Sequence, residues 1–173
     1  QDSSTVAGLD QILEITGIQP SHRRITGRWL EALADSGVLE RSDAGFRAPS
    51  PLAPVDTTAL WQRVEAALAG DQPLLEYVRH CAGLLVGVLS GRVSPLETLF
   101  PDGSFNVAVR LYHESSLLRY VNGIGAAALE KFVAERPVDA PVRVLEIGAG
   151  TGGTTGFLAG VLPEDRSDYL YTD

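Results

Sequence analysis

The stretch that most constrains the fold of this chain is Val142–Thr155, with the sequence V-R-V-L-E-I-G-A-G-T-G-G-T-T. Its start predicts a buried strand, and the apolar residues of that strand are Val142, Val144, Leu145 and Ile147. Four glycines then break the strand, and we predict that a helix opens at Thr151. Glycine lets the backbone approach a ligand closely, and the start of a helix presents free N–H groups. The stretch therefore predicts a strand–turn–helix unit that can hold a nucleotide-like ligand.

Two ligand-binding patterns fit these glycines. Gly148-x-Gly150-x-x-Gly153 matches the dinucleotide fingerprint. Glu146-x-Gly148-x-Gly150-x-Gly152 matches the acidic-x-G-x-G-x-G pattern of S-adenosylmethionine (SAM) methyltransferases. Glu146 favours the second pattern, because a carboxylate there would repel a pyrophosphate but could help to hold the ammonium group of a methionine moiety. A glycine-rich turn without a ligand is the remaining alternative.

A second predicted strand, Tyr169–Thr172, leads directly into Asp173, 21 residues after Gly152. A carboxylate at this place is positioned for ribose hydroxyls, a feature that both glycine patterns share. The start of the predicted helix also supplies hydroxyl groups from Thr151, Thr154 and Thr155. A sheet that begins in this way needs further strands to cover its edges, so we expect the sequence to be a piece of a longer polypeptide.

Charge and composition exclude several classes of function. The net charge of −8 argues against a large nucleic-acid-binding surface. Cys81 is the only cysteine, which excludes an internal disulfide and indicates a reducing compartment. The sequence has neither a signal peptide nor an apolar run of about 18 residues, so we expect a cytoplasmic protein without a membrane partner. The histidines and cysteine do not have metal-ligand spacing, and no metal site is predicted.

Three regions are expected along the chain. Residues 1–50 predict a winged-helix-like subdomain, with two helices followed by a short hairpin. Such a fold can bind DNA or can serve packing alone, and the acidic charge favours packing. Residues 51–140 predict a helical region, in which Pro73–Leu89 is apolar nearly all round and is expected to be buried. Residues 141–173 predict the start of a Rossmann-like core. The fold class is thus mainly α at first, followed by the first βαβ of an incomplete α/β fold.

From Ser94 onward the chain resembles the methyltransferase domains built into modular polyketide synthases. The segments that carry the resemblance are S-P-L-E-T-L-F-P-D-G-S (Ser94–Ser104), L-Y-H-E-S-S-L-L-R-Y-V-N (Leu111–Asn122), V-L-E-I-G-A-G-T-G-G-T-T (Val144–Thr155) and Y-L-Y-T-D (Tyr169–Asp173). Together, in this order and spacing, they are more specific than the glycine motif alone. The upstream helices resemble the N-terminal region of these domains less specifically.

The resemblance implies a C-methyltransferase that uses SAM. Its substrate would be a β-ketoacyl or malonyl-type thioester, which is deprotonated at the α-carbon and then methylated. The implied partners are an acyl carrier protein, with the substrate linked through phosphopantetheine, and the neighbouring synthase domains. In such domains the N-terminal helices form a lid over the cofactor and substrate, which here corresponds to residues 51–140.

The resemblance also assigns site residues. Those expected to contact SAM are Glu146, Gly148, Ala149, Gly150, Gly152, Thr154 and, at the ribose, Asp173. Tyr112 and Asn122 lie in the lid motif and are candidate neighbours of the cofactor or substrate. The family's catalytic base is a histidine supported by an acidic residue, and no residue of this sequence matches it. We therefore assign no catalytic residue.

Two other functions remain to be weighed against this one. The segment could be a non-catalytic adaptor or pseudo-methyltransferase region that positions neighbouring synthase domains. It could also be a winged-helix DNA-binding protein fused to a nucleotide sensor, which the acidic charge disfavours.

Overall fold

The computed structural model describes residues 5–52 and 54–173. Residues 1–4 of the predicted first region and residue 53 of the predicted second region lie outside that part of the chain. The described residues fold into two compact units. The first unit holds the chain up to Trp61 together with Ala82–Pro95, and the second holds Gln62–Cys81 together with Leu96–Asp173.

The first unit contains the helix–helix–hairpin order that the sequence predicts. Its elements are α1 (Leu9–Thr16), α2 (Arg23–Asp35), β1 (Glu40–Ser42) and β2 (Gly45–Arg47). Gly17 ends α1, because its φ of 69° is left-handed and its N–H donates to the carbonyl of Glu14. Ala7 pairs with Phe46 through two backbone hydrogen bonds of 2.9 Å each. The start of the described chain is thereby tied to the hairpin.

Two helices follow, α3 (Thr58–Ala67) and α4 (Gln72–Leu89), and each has residues in both units. The expectation that α4 is buried all round is wrong. Leu75 is buried, whereas Leu85 and Val86 are exposed by 44% and 67%. An apolar helix is buried only if other elements pack against every face, and the described residues leave the face of α4 with Leu85 and Val86 uncovered.

The rest of the second unit is a pair of helices followed by a strand–helix–strand unit. The elements are α5 (Asn106–Glu114), α6 (Ser116–Ala134), β3 (Val142–Ile147), α7 (Gly153–Ala159) and β4 (Ser167–Thr172). Helices α5 and α6 pack against each other and against α7. The buried apolar residues of this unit are Leu75, Ala108, Leu111, Ala126, Val133, Val142 and Ala149. They place α5 and α6 beside the glycine-rich turn that precedes α7.

The two strands of this unit lie next to each other and run parallel, with Val142 opposite Ser167 and Ile147 opposite Thr172. With α7 between them in sequence, they form the βαβ unit that the glycine motif predicts. The predicted helix start at Thr151 is wrong by two residues. Gly152 has a left-handed φ of 77°, which α-helical geometry excludes, so α7 begins only after it.

The expectation that β3 is buried along its whole length is also wrong. Val142 is only 2% exposed, but Leu145 and Ile147 are exposed by 60% and 80%. Side chains alternate between the two faces of a strand, so Val142 and Leu145 point to opposite faces. Only the face of Val142 is covered within the described part of the chain.

None of the described helices has both the length and the apolarity that crossing a bilayer would need.

Candidate cofactor-binding site

The glycine-rich turn after β3 depends on backbone conformations that only glycine adopts readily. Gly148, Gly150 and Gly152 have φ values of 76°, 55° and 77°. A Cβ atom built on Gly148 or Gly150 would meet no atom within 4 Å. Glycine is therefore required at these two positions by the backbone conformation rather than by packing. The open space beside the turn can accept a ligand close to the backbone.

The turn is fixed to the end of β4 by backbone donors. The N–H groups of Gly148 and Ala149 both donate to the carbonyl of Thr172, at 2.8 and 3.0 Å. The N–H of Gly150 donates to Oδ1 of Asp173 at 3.2 Å. Asp173, expected from the sequence to face a ribose, thus lies directly beside the glycines. Its second carboxylate oxygen accepts no hydrogen bond from the described residues.

Glu146 lies one residue before the end of β3, on the same face of the strand as Val142. Its Oε2 atom accepts hydrogen bonds from the Thr155 hydroxyl at 2.6 Å and from the Tyr169 hydroxyl at 2.8 Å. Within the part of the chain that the structure describes, Oε1 has no hydrogen-bond partner. One oxygen is therefore held by two neighbouring elements, and the other keeps its capacity to accept.

The environment of Tyr169 keeps its hydroxyl protonated. Burial raises the pKa of Tyr169, and the hydrogen bond to Glu146 and the charge of that carboxylate raise it further, to about 12. A hydrogen bond between Thr155 and Tyr169 lowers the pKa of Tyr169, but it is the smallest of these effects. At neutral pH the phenol is a hydrogen-bond donor to Glu146.

Tyr112 and Asn122 of the upstream helices both lie at the start of α7. A Cβ atom on Gly153 would stand 3.0 Å from the Tyr112 carbonyl oxygen, so Tyr112 approaches through its backbone. The Thr154 hydroxyl donates to Oδ1 of Asn122 at 2.9 Å. The structure thus brings both candidate lid residues to the predicted cofactor site.

Two further residues belong to this arrangement and were not singled out by sequence reasoning. His113 donates from Nε2 to the carbonyl of Thr151 at 3.0 Å, since a carbonyl can only accept. Tyr169, described above, is the second. Both lie inside segments that resemble the family, next to Tyr112 and near Asp173. The only feature of the sequence that could have indicated His113 and Tyr169 is their position close to the candidate residues Tyr112 and Asp173.

The described residues around the turn do not form a metal-binding cluster. Among residues 5–52 and 54–173, no three His, Cys, Asp or Glu side chains are grouped as metal ligands would be. The site instead combines the glycine-rich turn with two carboxylates and several hydroxyls. This chemistry suits a ligand that carries an ammonium group and sugar hydroxyls.

Comparison with known proteins gives relatives among polyketide synthases and a pyochelin synthetase. No family model matches the chain. It is 31% identical over 167 residues to the polyketide synthase ThaQ of Burkholderia thailandensis, which covers 90% of this chain and 8% of that protein. It is 28% identical to the pyochelin synthetase PchF of Pseudomonas aeruginosa, over 99% of this chain and 10% of that protein. The chain therefore spans a small part of each of these relatives.

Solved structures with the same fold include carbon methyltransferases. The CurJ carbon methyltransferase has a TM-score of 0.83 and 29% sequence identity, and the match covers 98% of this chain and 45% of that one. The DszA carbon methyltransferase shares the fold with a TM-score of 0.82, at 23% identity, over 100% of this chain and 46% of that one. The chain thus spans less than half the length of either solved methyltransferase.

These similarities agree with the helix-rich architecture and with the strand–glycine turn–helix unit at its end. In both sequence and fold, the chain therefore resembles the C-methyltransferase domains of polyketide synthases.

Proposed function

We propose that the polypeptide containing this chain transfers a methyl group from SAM to the α-carbon of a β-ketoacyl or malonyl-type thioester bound to a carrier protein. The observation that carries this proposal is the glycine turn between two parallel strands, flanked by the carboxylates of Glu146 and Asp173. The likeness to carbon methyltransferases supports the reaction class. In this proposal SAM supplies the electrophilic methyl group.

Each residue of the turn has its own part in holding the cofactor. Glu146 accepts from the ammonium group of the methionine moiety through its unpaired Oε1, directly or through a water. Asp173 accepts from the ribose hydroxyls through the oxygen that does not bond Gly150. The residues that line the ligand between these carboxylates are Gly148, Ala149, Gly150, Gly152 and Thr154. Glycine there lets the backbone and ligand approach closely.

We propose that residues 51–140 form the lid and residues 141–173 the start of the cofactor-binding core, with residues 1–50 as a winged-helix-like subdomain. The contacts of α5 and α6 with the start of α7 support this assignment. Tyr112 and Asn122 would then border the cofactor from the lid. The catalytic base is not assigned to any residue of this chain.

The proposed partners are an acyl carrier protein, with its phosphopantetheine-linked substrate, and the neighbouring domains of a synthase. The support is that the relatives of this chain are polyketide synthases and a pyochelin synthetase, of which it spans a tenth or less. We propose no nucleic-acid partner, because the net charge is −8.

The direct test is SAM binding, measured by calorimetry on the methyltransferase domain that contains this chain. We expect Glu146→Ala and Asp173→Ala each to weaken binding by about tenfold or more, since each removes a charged hydrogen-bond partner. Glu164→Ala removes an exposed carboxylate of the same unit and should leave binding unchanged. Unchanged affinity in both site variants would remove the proposed site. A domain that binds no SAM would instead favour the alternative function, a non-catalytic adaptor that positions neighbouring synthase domains.

A further inference from the structure

Glu146, which would itself bind the ligand in the proposed function, accepts hydrogen bonds from two side-chain hydroxyl groups. Tyr169 and Thr155 both donate to Oε2, and neither donates to Oε1. Tyr169 comes from β4 and Thr155 from the first turn of α7. A single oxygen of a β3 side chain is therefore held from the two other elements of the βαβ unit.

The strand register explains why Tyr169 reaches this carboxylate. Tyr169 stands opposite Val144, two residues before Glu146 on the same face of β3. The long side chain of Tyr169 spans this diagonal, and its hydroxyl donates to Glu146 at 2.8 Å. Thr155 reaches the same carboxylate from α7. The arrangement fixes the side-chain torsions of Glu146 before any ligand arrives.

We propose that Tyr169 and Thr155 are positioning residues that hold Glu146 so that its free oxygen, Oε1, recognises the amino-acid part of SAM. The proposal rests on the proposed function and deepens it, because it assigns discrimination between ligands with and without that part. A long side chain that is already ordered loses less entropy on binding, so the affinity gained from its contact is larger. A ligand without the amino-acid part has no group that Oε1 can bind, so its affinity does not depend on how Glu146 is held.

A merely structural role for the same hydrogen bonds makes a different prediction. If they only fix α7 to the sheet, losing them would lower stability and weaken every adenosine-containing ligand alike. If they position Glu146, the loss would fall on ligands with an amino-acid part. 5′-Methylthioadenosine keeps the adenosine and the methylthio group of SAM but lacks the amino-acid part, and it separates the two roles.

The experiment compares the dissociation constants of SAM and 5′-methylthioadenosine for the methyltransferase domain that contains this chain. We expect Tyr169→Phe and Thr155→Val each to weaken SAM by about tenfold, the effect of losing one charge-assisted interaction. The dissociation constant for 5′-methylthioadenosine should change by less than about twofold. Equal weakening of both ligands, or no weakening of either, overturns the proposal.

Two matched variants and one double variant complete the design. Thr155→Ser keeps the hydroxyl, and Tyr171→Phe removes a hydroxyl from β4 that has no partner among the described residues. Both should retain wild-type affinity for SAM. In a Glu146→Ala background, Tyr169→Phe should cause no further loss, because Tyr169 acts through Glu146. A further loss overturns the proposal, whereas failure of the wild-type domain to bind SAM contradicts the proposed function itself.

Discussion

Asp71 accepts two hydrogen bonds from Ser116 on one carboxylate oxygen. Oδ2 receives the Ser116 backbone N–H at 2.9 Å and the Ser116 hydroxyl at 2.6 Å. The same oxygen accepts from the Ser115 hydroxyl at 3.0 Å, and Oδ1 accepts from the Leu74 N–H at 3.2 Å. Asp71 immediately precedes α4 and Ser116 begins α6. One buried carboxylate therefore caps the N-termini of two helices.

Replacing this carboxylate should cost the stability of both caps. We expect Asp71→Ala to lower the free energy of unfolding by about 2–3 kcal/mol, because each lost cap costs about 1 kcal/mol and buried hydroxyls lose their acceptor. Urea unfolding at neutral pH measures the difference. Asp139→Ala, which removes an exposed carboxylate of the same unit, should change it by less than about 0.5 kcal/mol. Similar losses in the two variants would refute the double cap.

The stabilisation by Asp71 should also depend on pH. Burial raises the pKa of this carboxyl, but the hydrogen bonds from Ser116, Ser115 and Leu74 outweigh it and hold the pKa below its ordinary value of 3.8. A lowered pKa in the folded state gives stability that is present above the ordinary value and is lost as pH falls through the folded value. The difference between wild type and Asp71→Ala should thus shrink below about pH 4. Unfolding curves from pH 7 to pH 3 test this, and a constant difference would contradict it.

The approach of α5 to α7 predicts an asymmetry between two glycines of the same helix. A Cβ atom on Gly153 would lie 3.0 Å from the Tyr112 carbonyl oxygen, whereas one on Gly156 would meet nothing within 4 Å. We expect Gly153→Ala to lower the free energy of unfolding by about 1–3 kcal/mol through overpacking. Gly156→Ala should raise it by up to about 1 kcal/mol, as alanine favours a helix. Thermal unfolding of both variants measures the two changes in stability, and equal changes would contradict the close contact at Gly153.

Local sequence was enough to predict the βαβ unit and its glycine turn. The strand pattern of β3 and the tolerance of Gly148 for a positive φ are properties of short segments. The same holds for the neighbourhood of Asp173 and the glycines, since parallel strands end at the same edge of a sheet. These features follow from residues that are close in sequence or from simple topology.

Burial and the long-range contacts could not be predicted in the same way. Leu145 and Val86 are apolar, but they are exposed, because burial depends on what packs against a face and not on the residue itself. The bond of His113 to Thr151 spans 38 residues, and that of Tyr169 to Glu146 spans 23. No local periodicity relates such partners. Their contacts depend on how α5 and β4 pack around the turn.

The bond between His113 and Thr151 leads to a prediction that rests on the proposed function. His113→Phe keeps a ring but removes the donor that holds the carbonyl of the turn. We expect SAM affinity to fall by about tenfold, since the turn loses one of its fixed points. His80→Phe is the matched control, because His80 bonds the carbonyl of Glu97 at 2.7 Å, in a different part of the unit. Calorimetry on both variants tests this, and an equal loss of affinity in His80→Phe would refute it.

The pairing of Tyr169 with Glu146 should be visible in an alkaline titration. Burial first, and then the bond to and charge of Glu146, raise the pKa of Tyr169 to about 12. A raised pKa gives stability that is complete below the ordinary value of 10.0 and is lost as pH rises through about 12. The difference in ultraviolet absorbance between wild type and Tyr169→Phe, followed against pH, should therefore change near pH 12. Glu146→Gln removes the charge and should move that titration toward lower pH. A wild-type titration near pH 10, unchanged in Glu146→Gln, would show that Tyr169 does not donate to Glu146 in solution.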